Sequence, residues 1–166
     1  MAQDERGAQE QRVQQIAIYG SAYDMVKNAL ERYPREMWQY RPSPQDFTIH
    51  EILVHIADSE ANSFVRARRF IAEPGSGVYG YDESGWAKKL NYHAQAVDDA
   101  VELFRWLRGN THKLIRDLPE EVWRSTVVHS ENGVMTMDEW LDVYTRHVPE
   151  HIAQMGRVYQ AWRAGK

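Results

Sequence analysis

His147 and His151 stand four residues apart in HVPEHIAQM, and that separation stacks two imidazoles on one face of a helix, one turn apart. Both rings can then reach a single ion at about 2.1 Å, the bond length of a histidine nitrogen to zinc. Two donors from one helix leave the coordination incomplete. A third is available in His55, which follows the helix-starting Thr48 by seven residues in FTIHEILVHIADSE and lies among Ile52, Ile56 and Ser59. Facing helices would bring the three together as neutral donors that leave further positions open to water or substrate, the layout of a catalytic metal site. A histidine on an apolar helix edge also serves as a hydrogen-bonded structural residue, so spacing alone leaves both readings open.

A metal centre needs groups that orient its ligands and move protons. Asp58, one turn from His55, and Gln154, one turn from His151, are the first candidates, with Glu51 and Glu150 behind them. Most helical carboxylates are solvated or paired, so only one or two of these are expected to matter. Tyr92 and Tyr144 could turn a hydroxyl into a cavity or simply fill the core. Asp58, Ser59, Asn62 and Arg66 form a hydrophilic strip that fits either the wall of a wet cavity or an exposed face. Of the seven histidines, His129 is the reserve ligand; His50 falls on a different face from His55, and His93 and His112 flank or interrupt the third helix. The chain has no cysteine, which removes thiolate ligands, disulfides and a cysteine nucleophile.

The elements that must position these residues are helices. Residues 1–10 are too polar to pack and are expected to form a flexible N-terminus; residues 11–166 then read as one domain. Val13, Ile16, Gly20, Tyr23 and Leu30 recur at helical spacing and predict helix one, ending near Tyr33-Pro34. PREMWQYRPSPQDF holds three of the six prolines and reads as a loop around the bundle end. Helix two opens on a capping box, Thr48 with Glu51, flanked by a Phe47–Ile52 staple, and its apolar face runs Ile49, Ile52, Leu53, Ile56, Phe64, Phe70. The glycine-rich EPGSGVYGYDESGW is a long connection, of the kind that covers sites. Val97, Val101, Phe104, Leu107, Thr111, Leu114 and Leu118 predict helix three. Asn132-Gly133 between paired apolar residues suggests a short hairpin, and helix four opens on a second box, Thr136 with Glu139. The predicted fold class is all-α: a four-helix bundle with a long loop between helices two and three and a short hairpin before helix four.

Composition bounds the partners. With 43% hydrophobic residues, a net charge of −4 and the Lys and Arg residues scattered among acids, no nucleic acid is expected. MAQDERGAQEQR lacks a signal-peptide core and no apolar run is long enough to span a bilayer, so no membrane partner and a cytoplasmic location are expected. The tryptophans Trp86, Trp106, Trp123 and Trp162 exceed what one small core needs and suggest a homodimer.

The motifs quoted above carry a likeness. RP…FTIHEILVHIADSE, the YDESGW loop, LR…L…LPEEVW, the H-x-E-x-G turn and HVPEHIAQM span most of the chain from Arg41 onward, and with them the chain resembles the DinB-like superfamily of metal-dependent bundle proteins, in the branch that includes bacillithiol S-transferases. The resemblance implies a divalent metal, usually zinc or nickel with iron or manganese as alternatives, on His55, His147 and His151. It implies thiol-dependent S-transfer with a small-molecule, low-molecular-weight thiol as substrate; hydrolysis of a small substrate, or a non-catalytic metal-binding or stress-related role, are the alternatives. Pro149 departs from the family pattern. Inside a helix it removes a backbone hydrogen bond and crowds the carbonyl of Thr145. A bend would keep the pair convergent and a break would destroy it; the apolar register of Ile152, Met155 and Val158 beyond it favours a bend.

Overall fold

The computed structural model describes residues 2–165, with side chains from residue 6 onward. Four long helices form the bundle: α1 (Ala2–Leu30), α2 (Ile49–Ala72), α4 (Val97–Ile115) and α6 (Met137–Ala164), which are the four expected from the sequence. Two short helices, α3 (Glu83–Lys89) and α5 (Glu120–Trp123), and three strands, β1 (Gly77–Val78), β2 (Thr126–His129) and β3 (Gly133–Thr136), fill the connections. The main packing pairs are α2 with α4 and α6, and α1 with α4 and α6. Consecutive helices α1 and α2 therefore lie on a diagonal, and the loop between them crosses the bundle end. Buried Met37 and Trp38 anchor that loop, the Trp38 indole donating to Tyr33 O at 3.1 Å.

Both capping boxes form. Thr48 Oγ1 accepts from Glu51 N at 3.1 Å while the Glu51 carboxylate accepts from Thr48 N at 2.9 Å, and Thr136 with Glu139 repeats the exchange. Each satisfies two of the amides that a helix start leaves unpaired, a contribution of about 1 kcal/mol per cap. Because these devices are local, they set where α2 and α6 begin and hence which residues face inward seven and eleven positions later. The hairpin also forms: β2 and β3 pair antiparallel with Val127 opposite Met135 and His129 opposite Gly133, whose φ of +73° needs a glycine. β1 adds a parallel edge, Val78 beside His129, that the sequence pattern did not signal.

The polar lead is continuous with α1, which begins at Ala2; residues 6–11 in it are exposed. Two expectations need correction. The buried stripe of α1 is Arg12, Tyr19, Ala22, Val26 and Ala29, whereas Val13 is 63% exposed. In α4 the buried residues are Val97, Ala100, Phe104, Arg108, Thr111 and Ile115, so Leu107 and Leu114 are only half-buried. The reason is the same in both helices: an arginine occupies the inner face because a distant carboxylate meets it there. Arg12 bridges Glu120 and Asp138, both at 2.6 Å, and Arg108 meets Glu60 at 2.6 Å in the centre of the bundle.

The core is two apolar clusters, one around Ile49, Ile52, Leu53, Ile56 and Phe104, the other around Tyr19, Phe70, Ile115, Trp123 and Trp140. On α2 the residues between them include buried His55, Ser59, Glu60 and Ser63. On α6 the change from one cluster to the other falls at Tyr144 and Val148, on either side of His147. Pro149 lies within α6, which runs unbroken from Met137 to Ala164, so the break that would part His147 from His151 does not occur.

Candidate metal centre

α2 and α6 bring His55, His147 and His151 together, with one ring nitrogen from each lying within 4.8 Å of the other two. The ring centroids are 5.4 Å apart for His55 and His147, 4.8 Å for His55 and His151, and 4.4 Å for His147 and His151. His147 Nε2 and His151 Nε2 face each other at 3.1 Å. Gln154 Oε1 lies 2.8 Å from His151 Nδ1 and accepts a hydrogen bond from its N–H, which leaves the lone pair of His151 on Nε2, the nitrogen that faces His147. Two donors on one tetrahedral ion stand about 3.4 Å apart. The observed approach is close to that value.

His55 carries the fit further. It is fully buried, and neither Nδ1 nor Nε2 has a hydrogen-bond partner. A buried polar group without a partner costs about 1–3 kcal/mol, so such a group is normally paired. The Phe47 ring packs edge-on at 5.9 Å and Tyr81 lies at 6.5 Å, which closes the pocket around an imidazole that only a cation or a polar ligand can satisfy. Electrostatics point the same way. Burial, followed by the neighbouring His151, lowers the His55 pKa to about 3; burial, with His151 and His55 next, lowers His147 to about 2; burial also lowers His151, against the opposing bond from Gln154. The three rings are neutral bases at physiological pH, the protonation state a metal ligand requires. The donor set fits a divalent ion.

Around the three rings stand groups able to handle protons. Ser59 Oγ is 3.4 Å from His147 Nε2. Glu83 Oε2 lies 3.9 Å from His55 Nε2, and burial raises its carboxyl above the ordinary range although Arg66 opposes the shift. The Tyr81 hydroxyl is buried without a partner, and burial raises its pKa. Glu83 and Tyr81 belong to the YDESGW loop, which reads in sequence as a cover. That a carboxylate and a phenol of that loop face the histidines had no signal beyond its place between two helices.

Other candidates are elsewhere. Asp58 does not orient His55; its Oδ2 accepts from the Tyr92 hydroxyl at 2.5 Å, fixing the turn after α3 to α2. Glu51 is spent on its cap and on Arg41 at 2.6 Å, and Glu150 is exposed 3.6 Å from Arg146. The Tyr144 hydroxyl accepts from Arg66 Nη1 at 2.9 Å. His129 does not join the three: its Nδ1 accepts from the amides of Glu131 and Asn132 at 3.2 and 3.3 Å, closing the hairpin turn. His50 lies 3.0 Å from Tyr92 O through Nε2, His93 pairs with Glu51 at 3.1 Å, and the His112 ring packs so closely on Gly20 that a Cβ there would stand 2.6 Å from it.

A four-helix bundle that directs one histidine from its second long helix and an H-x-x-x-H pair from its last into one buried pocket defines a class of metal-site bundle. The chain belongs to the DinB superfamily, whose family profile matches residues 19–155. Among relatives, a protein of Oceanobacillus iheyensis provisionally named a metal-dependent hydrolase is 27% identical over 109 residues, covering 66% of this chain and 63% of the relative. YfiT of Bacillus subtilis, named in the same provisional way, is 24% identical over 110 residues, covering 66% of this chain and 62% of YfiT. The matched region thus spans less than two thirds of these relatives. The solved structure of YfiT, described as a four-helix bundle of unusual topology, superposes with a TM-score of 0.83 at 22% identity over 94% of this chain and 89% of that one.

Proposed function

We propose that the protein is a metal-dependent hydrolase of a small molecule, with a divalent ion held by His55, His147 and His151. The observation that carries this reading is the fully buried His55 ring with both nitrogens unpartnered, beside His147 Nε2 and His151 Nε2, which stand 3.1 Å apart. Zinc or nickel suits a set of three imidazoles, and iron or manganese follows. A bound ion supplies Lewis acidity, lowering the pKa of a water or thiol that reaches it. Glu83 is the base for that proton: it is the nearest carboxylate to the three rings, and a raised pKa makes it a better acceptor than an ordinary glutamate. The Tyr81 hydroxyl, otherwise unpartnered, donates to the oxygen of the substrate. Phe47 and Trp86, the latter 4.5 Å from Tyr81, restrict water. The names of the relatives support hydrolysis.

Thiol-dependent S-transfer is the second reading, and the donor set is compatible with it: three neutral nitrogens leave the ion its full charge, which holds a thiolate as well as an oxygen anion. Elemental analysis of protein purified without a metal-affinity tag tests the common ground. About one equivalent of metal is expected, lost in His55→Ala and His151→Ala; absence of stoichiometric metal from the wild-type protein refutes both readings. Generic esters and amides, set against a panel of thiols with an electrophilic acceptor, then separate hydrolase from transferase.

A further inference from the structure

Between the C-terminal half of α2 and the segment from Gly77 to Trp86 lies a cleft of about 370 Å³ lined by Asn62, Val65, Arg66, Val78, Tyr79 and Trp86 among others. Its lining holds two arginines and no carboxylate, in a chain whose net charge is −4. Arg69 is already paired with Glu73 at 3.2 Å. Arg66 differs from it: its Nη1 donates to the Tyr144 hydroxyl at 2.9 Å and its Nη2 to the carbonyl of Tyr79, and among the described residues it forms no ion pair. A guanidinium has five donors, so two bonds to neutral oxygens fix the fork without neutralising it. The remaining donors are available to an anion.

Two side-chain contacts link the cleft wall to the neighbours of the histidines. Through Arg66 it touches Tyr144, whose ring is 6.0 Å from His147; through Trp86 it touches Tyr81, whose ring is 6.5 Å from His55. Side chains on a helix lean toward its N-terminus, so Arg66, although eleven residues after His55 on α2, reaches back toward the histidines. The walls opposite the fork are apolar or aromatic: Val65, Val78, Tyr79 and Trp86.

We propose that this cleft is the substrate subsite and that Arg66 binds the carboxylate of a small organic acid whose apolar or aromatic body lies along Trp86 and Tyr79. A planar fork matches a carboxylate through two parallel hydrogen bonds, which a lysine cannot reproduce. The apolar and aromatic side chains beside the fork favour a singly charged acid with a hydrocarbon body over a highly hydrated phosphate. As an account of substrate choice this rests on the metal-centre reading above; as a binding site it stands alone.

The test is a chemical-shift titration of the full-length protein, as purified and again after chelation, with butyrate, 3-phenylpropionate, their amides and inorganic phosphate, followed at the tryptophan indole resonances. The acids are expected to bind saturably, 3-phenylpropionate more tightly than butyrate and both more tightly than their amides. Arg66→Gln is expected to weaken the acids about tenfold or more, Arg66→Lys less, with the amides unchanged. Melting curves of the two variants show that they fold, and Arg66→Lys serves if Arg66→Gln does not. Amides that bind as well as acids, phosphate that binds better than either acid, or acid binding that Arg66→Gln leaves intact overturns the proposal. So does acid binding that disappears on chelation, since it assigns the carboxylate to the ion. Lack of metal in the purified protein would refute the metal-centre reading and leave this titration as informative as before.

Discussion

Gln154 holds His151 by ring nitrogen Nδ1, at 2.8 Å, so the tautomer of this histidine is fixed three residues down the same helix. His55 has no such support, and neither of its ring nitrogens is paired. The His151 position is therefore sensitive to Gln154 in a way that His55 is not to Asp58, which is engaged by Tyr92. Gln154→Ala is expected to lower metal affinity about tenfold to a hundredfold, while Asp58→Asn changes it little. Competition against a chromophoric chelator measures both. Equal losses in the two variants would contradict the assigned roles.

The protein without metal is expected to lose stability as pH falls below about 6.5, where an unfolded histidine takes up a proton. In the folded chain burial holds His55 down to about 3 and His147 to about 2. Between those limits the unfolded state binds protons that the native state refuses, so the free energy of unfolding rises with pH across the window and is lost as pH is lowered through it. The slope is about 1.4 kcal/mol per pH unit for each histidine. Urea midpoints of chelated protein at pH 7.5 and pH 5 give the measurement. A midpoint that does not fall at pH 5 would show that the rings are not held neutral by the fold.

Arg108 pins the turn of α6 that presents His147. Its Nη1 donates to the carbonyl of Tyr144 at 3.2 Å while its Nη2 meets Glu60 at 2.6 Å, and Glu60 in turn accepts from the Tyr19 hydroxyl at 2.6 Å, all fully buried. Arg108→Met leaves the Glu60 carboxylate without its cation and is expected to cost about 3–5 kcal/mol in urea unfolding. Adding Glu60→Gln should recover part of that loss, because the stranded charge is gone. If the double variant is no more stable than the single one, burial of the pair is not what the loss measures.

How far the sequence was readable depended on the range of the interaction. Thr48 with Glu51, Thr136 with Glu139, and His147 with His151 are pairs within one helical turn, and their spacing states their geometry. His55 joined them because its distance from a well-marked cap placed it on the inner face. The inner faces of α1 and α4 were misread at Arg12 and Arg108, since a charge reads as solvent-facing until the partner is known, and Asp138 and Glu60 are far away in the chain. Arg66 read as part of a hydrophilic strip that fitted a cavity wall and an exposed face alike, because Tyr79 and Tyr144, which hold it, come from a loop and another helix. Glu83 had no periodicity to mark it at all, because α3 is a short helix whose orientation is set by packing over the pocket.

Glu83 gives the sharpest separation between holding a metal and using it. Its carboxylate is 3.9 Å from His55 Nε2, beyond hydrogen-bond reach, and its side chain is 55% exposed, so it is not what keeps the imidazoles in place. As the proton acceptor of the proposed reaction it should nevertheless be needed in the step where a proton leaves the nucleophile. Glu83→Gln keeps the size and removes the base; a general base typically contributes about a hundredfold to ten-thousandfold in rate. The variant is therefore expected to retain the wild-type metal content and melting behaviour while kcat on whichever ester, amide or thiol-transfer substrate proves active falls by at least about a hundredfold. The remaining activity should also lose the ascending limb of its pH profile that reports the base. A loss of metal in Glu83→Gln would make the residue a ligand, and unchanged kcat would rule it out as the base.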